Sequence, residues 1–506
     1  MLKVLVRRRA WFAAPILGAL LVLPWLTSCG SSSGGGAAPF VGSRSYRLPG
    51  IDGAGFASAD LTVLVTYPAS GSPTISLTSS DSKFSSTTAR VTAHRGAHIE
   101  ATAADDDDQP LVLALDFTDS GNQVSARLSH GASSATASGS NLASTTTRGA
   151  YTLIAWNDLG MHCMNQDFSS LMILPPYNTL HAQLIERGEE PRIIGSGATL
   201  TYLVPGNTKS STKTNFWRYS AGLLGTAVPN DVGLTGNRLS GSMVATGAND
   251  WNVTGIPITP KTDAGAINAY QLATVKAVMN GQQVATTQAV VPVSWEISCN
   301  LCHKTAGIST DLDILRKHDR KHATNLANQR PVNCARCHAE LNLGSNGVAG
   351  VKSLSAAMHS SHANRMAAAG LSNECYACHP GVTTNCQRDV HKAKGITCKR
   401  CHVSMAAVGS TARRPWIDEP RCADCHSRSG FQFEQPGTRF RDSKGHHGIR
   451  CPVCHGSPHA TAPATNAADN VQAIALQGHA GTINTCTVCH TQTPDDKFDH
   501  RFEGSD

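Results

Sequence analysis

Apolar and polar residues alternate with a period of two in three early stretches: Leu61–Tyr67 (LTVLVTY), Leu111–Phe117 (LVLALDF) and Gln123–Leu128 (QVSARL). A period of two buries one face of a strand. Turn-forming residues separate the stretches, so residues 46–132 read as a β-sandwich-like domain. The Ser/Thr/Ala/Gly run from Ser133 to Gly149 reads as a linker. Residues 150–298 make a second β-rich region. Its last hairpin is the clearest, because Asn280-Gly281 between two alternating arms suits a two-residue turn with positive φ at both positions. Strand alternation stops at Trp295–Cys299, and Cys and His take over.

The N-terminus carries a different pattern. Lys3, Arg7, Arg8 and Arg9 precede an apolar run from Trp11 to Leu26, interrupted by Pro15 and Pro24. The run is short for a membrane span of about 20 residues and reads as an export signal over residues 1–28. Leu26-Thr-Ser-Cys29 resembles a bacterial lipobox. That resemblance implies lipidation of Cys29 and anchoring at the outer membrane, with residues 29–45, rich in Ser and Gly, as a flexible tether.

Seven copies of Cys-x-x-Cys-His lie beyond residue 298. They run Cys299–Cys302–His303, Cys334–Cys337–His338, Cys375–Cys378–His379 and Cys398–Cys401–His402, then Cys422–Cys425–His426, Cys451–Cys454–His455 and Cys486–Cys489–His490. Two thiols at this spacing add to the two vinyl groups of one porphyrin, and the adjoining histidine reaches its iron. A disulfide framework explains the paired cysteines but not the histidine after every pair. Zinc pairs usually combine into four-ligand sites without this fixed histidine. The reading is therefore seven c-type haems, with residues 299–490 as the haem domain and 491–506 as a tail. Roughly 27 residues per motif is too little chain for apolar cores of its own, so the porphyrins are expected to serve as the core.

Closing the second axial position needs further histidines. The candidates are His318 and His322, spaced i, i+4 in a helical stretch that starts near Thr310 or Asp311, and His359 and His362, spaced i, i+3. His391, His446 and His459 complete the set. His459 stands four residues past His455, too close to serve the same iron, so it is expected to serve a neighbouring haem. His447, His479 and His500 read as surface residues or propionate contacts. Paired imidazole ligands favour low potentials relative to His/Met.

With these residues in hand, the chain resembles the multihaem c-type cytochrome lipoproteins of respiring bacteria that export electrons. The resemblance covers roughly residues 150–490 and includes the segments WNDLGMHCMNQDF, LPPYNTLHAQLI, DEPRCADCH and CHGSPHA. It implies an electron conduit in the periplasm or at the cell surface, with redox proteins of the envelope as partners. Some relatives polymerise, so an oligomer or filament stays open.

The expected fold is thus multidomain: two N-terminal β-rich domains, then a haem-packed domain of short helices and irregular chain. The expected function is electron transfer rather than catalysis. The alternative is an oxidoreductase that reduces a nitrogen or sulfur oxyanion at one haem with an open position. The formal charge of +7 includes the four basic residues of the leader, and each ferric haem adds about one negative charge. Nucleic acid is therefore not expected as a partner. Cys163 and Cys386 remain outside the motifs, and in an oxidising compartment they are candidates for one disulfide.

Overall fold

The computed structural model describes residues 42–67, 72–79, 87–105, 109–118, 123–140, 149–429, 431 and 433–495. The leader, Cys29, Asp106–Asp108 and His500 lie outside the described residues.

Eight antiparallel strands follow one another in a single meander: β1 (Gly42–Gly53), β2 (Phe56–Tyr67), β3 (Thr74–Ser79), β4 (Thr87–Arg95), β5 (His98–Ala104), β6 (Pro110–Thr118), β7 (Gln123–His130) and β8 (Ser133–Ser140). The alternation seen in the sequence becomes one buried face. Leu61, Val63, Val65, Leu111, Leu113, Leu115, Val124 and Leu128 are all buried on it. The architecture differs from the expected sandwich. One sheet rolls until its ends meet, with Ala54 N donating to Ser133 Oγ at 2.9 Å.

Two boundaries also move. Strand β1 starts at Gly42, inside the expected tether, and β8 fills the first half of the expected linker. In β8 the inward positions are Ala135 and Ala137, with Ser and Thr between them. Residues this small fit where β8 closes against β1, and they give no apolar signal in the sequence.

Residues 149–295 form the second β-rich region. One sheet centres on Leu180–Glu186, flanked by Tyr151–Trp156, Arg192–Ile194 and Trp251–Val253. The other is built on the hairpin Tyr270–Met279 and Gln282–Ser294, extended by Thr199–Leu203. Asn280 and Gly281 turn this hairpin with φ of 50° and 78°, as the dipeptide predicts. An apolar core fills the space between, including Phe168, Phe216, Trp217, Trp251, Val275 and Val291.

The texture changes after Ser294. The described helices here are short: α2 (Thr310–His322), α3 (Leu354–His362), α4 (Val390–Ala393), α5 (Cys398–His402), α6 (Met405–Val408), α7 (Cys451–His455) and α8 (Ala467–Gln477), after α1 (Phe216–Leu224) in the β region. Ser309, one residue before the expected start, caps α2 by accepting from Leu312 N. Buried apolar side chains are few and mostly small. Besides alanines they are Leu315, Leu354, Met366, Val453, Ile474 and Val488 among the described residues.

Closure of the first sheet yields a prediction. A Cβ at Gly139 would collide with the carbonyl oxygen of Arg47. Gly139→Ala should therefore cost on the order of 1–3 kcal/mol, read as a lower unfolding temperature by calorimetry. An unchanged temperature would mean that β8 does not close on β1.

Candidate cofactor site

Each motif folds as a tight turn of helix whose amides close on its first cysteine. The amide of His303 donates to Cys299 O at 2.8 Å, and those of His338, His379, His426 and His490 make the same bond within their motifs. This turn holds both thiols and the imidazole on one short segment. Asn333 and Asn373 cap two of these turns by accepting from Ala335 N and Cys375 N.

The histidines meet in pairs. His303 faces His362 with ring centres 6.4 Å apart, and His338 faces His318 at 6.4 Å. His379 faces His359 at 6.0 Å, and His402 faces His459 at 6.1 Å. His426 faces His391 at 6.1 Å, and His490 faces His446 at 6.1 Å. Each pair joins one motif histidine to one histidine outside the motifs. Six of the seven expected outside histidines are used in this way. His322 instead lies against His318, at 4.8 Å on the same helix. The remaining motif histidine, His455 of the sixth motif, ends α7, and its carbonyl accepts from Ala462 N.

The spacing tests which metal geometry the pairs fit. With a metal–nitrogen bond of about 2.0 Å and about 1.1 Å from nitrogen to ring centre, imidazoles on opposite faces of one ion have ring centres about 6.2 Å apart, whereas tetrahedral ligands sit about 5.1 Å apart. All six pairs match the first value. Among the described residues, no three His, Cys, Asp or Glu side chains form a group able to hold a metal ion. The spacing therefore fits two imidazoles on opposite sides of one ion, and it does not fit a four-ligand zinc centre.

The rings are also oriented. His338 Nδ1 donates to Lys352 O, His359 to Ser355 O, His362 to Met358 O and His490 to Glu189 O, at 2.6–2.8 Å. His391 Nδ1 bonds Asp389 Oδ2 at 3.1 Å. A carbonyl only accepts, so Nδ1 carries the proton and the Nε2 lone pair is free to bind a metal. Burial, with repulsion from His359 and His402, pulls His379 down to about 4. Burial, with repulsion from His459, does the same for His402. Both rings are neutral at physiological pH, as metal ligation requires.

The β region clasps the motif segment from outside. Glu296 accepts from the amides of Gly381, Val382, Thr383 and Thr384 and from two threonine hydroxyls. Burial pushes its carboxyl up, but these bonds outweigh it and bring it down to about 2. Arg388 is fully buried and pairs with Asp469 through two hydrogen bonds, while its guanidinium stacks on Tyr270. Its amide donates to His459 O at 2.8 Å, which fixes the backbone of that ring. No residue pattern marks these contacts in advance, since isolated Glu and Arg residues carry no periodicity or motif.

A second polar cluster lies on the sheet centred on Leu180–Glu186. His181 stacks on Trp156 and bridges Asp158 at 3.4 Å and Asp250 at 3.9 Å, while Arg441 and Arg450 face those carboxylates. His162 is engaged elsewhere, its Nε2 donating to Pro175 O. Cys163 and Cys386 are not joined in the structure. Burial, then the nearby Cys386 and Cys378, push the Cys163 thiol well up.

No family model, no curated protein and no solved structure matches this chain.

The His181 cluster sets a pH dependence. Burial alone would lower its pKa, but the neighbouring carboxylates of Asp158 and Asp250 raise it to about 9. A raised histidine pKa stabilises the fold fully below about 6.5, and that contribution is lost as pH rises through about 9. Asp158 works in the other direction. Burial opposes it, yet His181, Thr179 and Arg441 bring it down to about 2, so its contribution fades only in acid. Calorimetry from pH 6 to pH 9.5 should show a stability loss on the order of 2 kcal/mol. His181→Asn should remove most of that slope, and an unchanged slope would rule the cluster out as its source.

Proposed function

We propose that this chain is a seven-haem c-type cytochrome that transfers electrons in the cell envelope. The observation that carries the reading is the set of six facing histidine pairs, each with one member in a Cys-x-x-Cys-His motif and a ring separation of 6.0–6.4 Å. The scarcity of buried apolar side chains after Ser294 supports it, because a porphyrin supplies the apolar surface that the chain lacks.

In this reading the paired cysteines of each motif hold a haem through thioether bonds, and the motif histidine binds its iron. His362, His318, His359, His459, His391 and His446 would be the second histidine ligands at the first, second, third, fourth, fifth and seventh motifs. A haem bound in this way supplies reversible one-electron chemistry. The protein's own contribution is to fix the imidazoles of His338, His359, His362, His391 and His490 through their Nδ1 bonds, to clasp the motif segment with the β region, and to crowd the motifs together. Two histidine ligands at each of these six sites would leave a substrate no place to bind there. This favours electron transfer over oxyanion reduction. Cys29 anchors the chain to a membrane through lipid, and envelope redox proteins are its partners.

Two measurements test this. Protein purified from a host competent in cytochrome maturation should give seven haems per chain in a pyridine haemochrome assay, with low-spin signals dominating its resting electron paramagnetic resonance spectrum. A colourless product with its thiols joined to each other or to zinc would end the reading. Cys29→Ser should move the protein from the membrane fraction to the soluble fraction, and a variant that stays with the membrane would remove the lipid anchor.

A further inference from the structure

The first motif makes contacts with the third as well as with the helix that serves the second. The residue before the first motif, Ser298, donates its amide to Ala377 O, inside the third motif, at 3.1 Å. Helix α3 then serves both of these motifs. His362 faces His303 of the first, and His359, one turn earlier on the same face, meets His379 of the third. Each ring is tied back to α3 through its own Nδ1. Two metal ligands on adjacent turns of one helix hold their sites side by side.

The second motif is reached from another side. Helix α2 leans on the first motif, with Lys317 Nζ donating to Cys302 O at 3.4 Å and Asp313 3.7 Å from His303 Nδ1. From the same helix His318 extends to His338 of the second motif. Among the described residues no hydrogen bond or ion pair joins the second motif to the third. The third passes directly to the fourth. Asn373 Nδ2 donates to Cys398 Sγ at 3.4 Å, and Glu374 pairs with Lys399 at 2.6 Å. The later motifs follow on. His391, seven residues before the fourth motif, faces His426 of the fifth, and Ile483, just before the seventh, donates to Cys454 O of the sixth.

We propose that the sites are wired out of chain order, with the first lying between the second and the third and the second ending the row. This rests on the haem reading above. An end site has one neighbour. Electrons that move between the first and third sites never cross the second, so the second site is where the row meets the outside at that end.

The test uses the full-length haem-loaded protein. His318→Met and His362→Met each replace one axial imidazole with a thioether, raising the potential of the second and first sites respectively. Each variant is titrated while nuclear magnetic resonance follows the haem methyl signals of the other sites. As the marked iron changes oxidation state, the signals of its immediate neighbours shift. The expected result is one shifted neighbour for His318→Met and two for His362→Met. Two shifted neighbours for His318→Met with one for His362→Met would overturn the order. If methionine does not bind, the marked iron becomes high-spin, and its larger moment reports the same neighbours. A preparation without haem sinks the functional reading itself. A seven-haem preparation with the wrong neighbour count sinks only the order.

Discussion

An imidazole whose Nδ1–H is committed to a carbonyl oxygen has one lone pair left, on Nε2, and a fixed direction in which to use it. His338, His359, His362 and His490 are held in this way, and His391 is held by a carboxylate. Every one of these rings faces a second imidazole across a gap that suits one six-coordinate ion. The rest of the C-terminal segment depends on this arrangement. Its helices are too short to be stable alone, since isolated helices below about 12 residues are marginal in water. Only α2, at 13 residues, exceeds that length. They are held by what they bracket and by the β region beside them.

The second β-rich region supplies the rigidity that the motif segment lacks. Two residues past its closing hairpin stands Glu296, whose carboxylate gathers four backbone amides of the loop after the third motif. Further along, Gln472 on α8 exchanges hydrogen bonds with the backbone of Ala155, and Arg187 donates to Thr487 O and His490 O beside the seventh motif. The buried Arg388–Asp469 pair lies between these contacts. A lone buried charge costs several kcal/mol, so each member requires the other. The pair therefore locks α8 against the segment that carries His459. In this way a conventional apolar core positions a neighbour that has almost none.

Much of this was legible in the sequence. The alternation in Leu61–Tyr67 and Leu111–Phe117 marked strands because a period of two leaves one face apolar, and Asn280-Gly281 marked its turn because both residues accept positive φ. The His359/His362 spacing placed both rings on one helix face. Strand β8 was missed because its inward residues are alanines, whose small apolar area gives no contrast with serine. The first domain was expected as two packed sheets and is one rolled meander, because alternation is the same in either arrangement.

The sequence by itself determined the donors: fourteen motif cysteines, seven motif histidines and a short supply of further histidines. Covalent spacing is local, and a five-residue motif carries its own geometry. Only the tertiary structure decided which histidine meets which. His459 reaches back to His402, His446 to His490 and His318 to His338, while His322, one turn further along α2, turns to its own helix neighbour. Such pairings join residues up to 59 positions apart. They depend on how helices and loops pack around a common space, and no local pattern of residues encodes that.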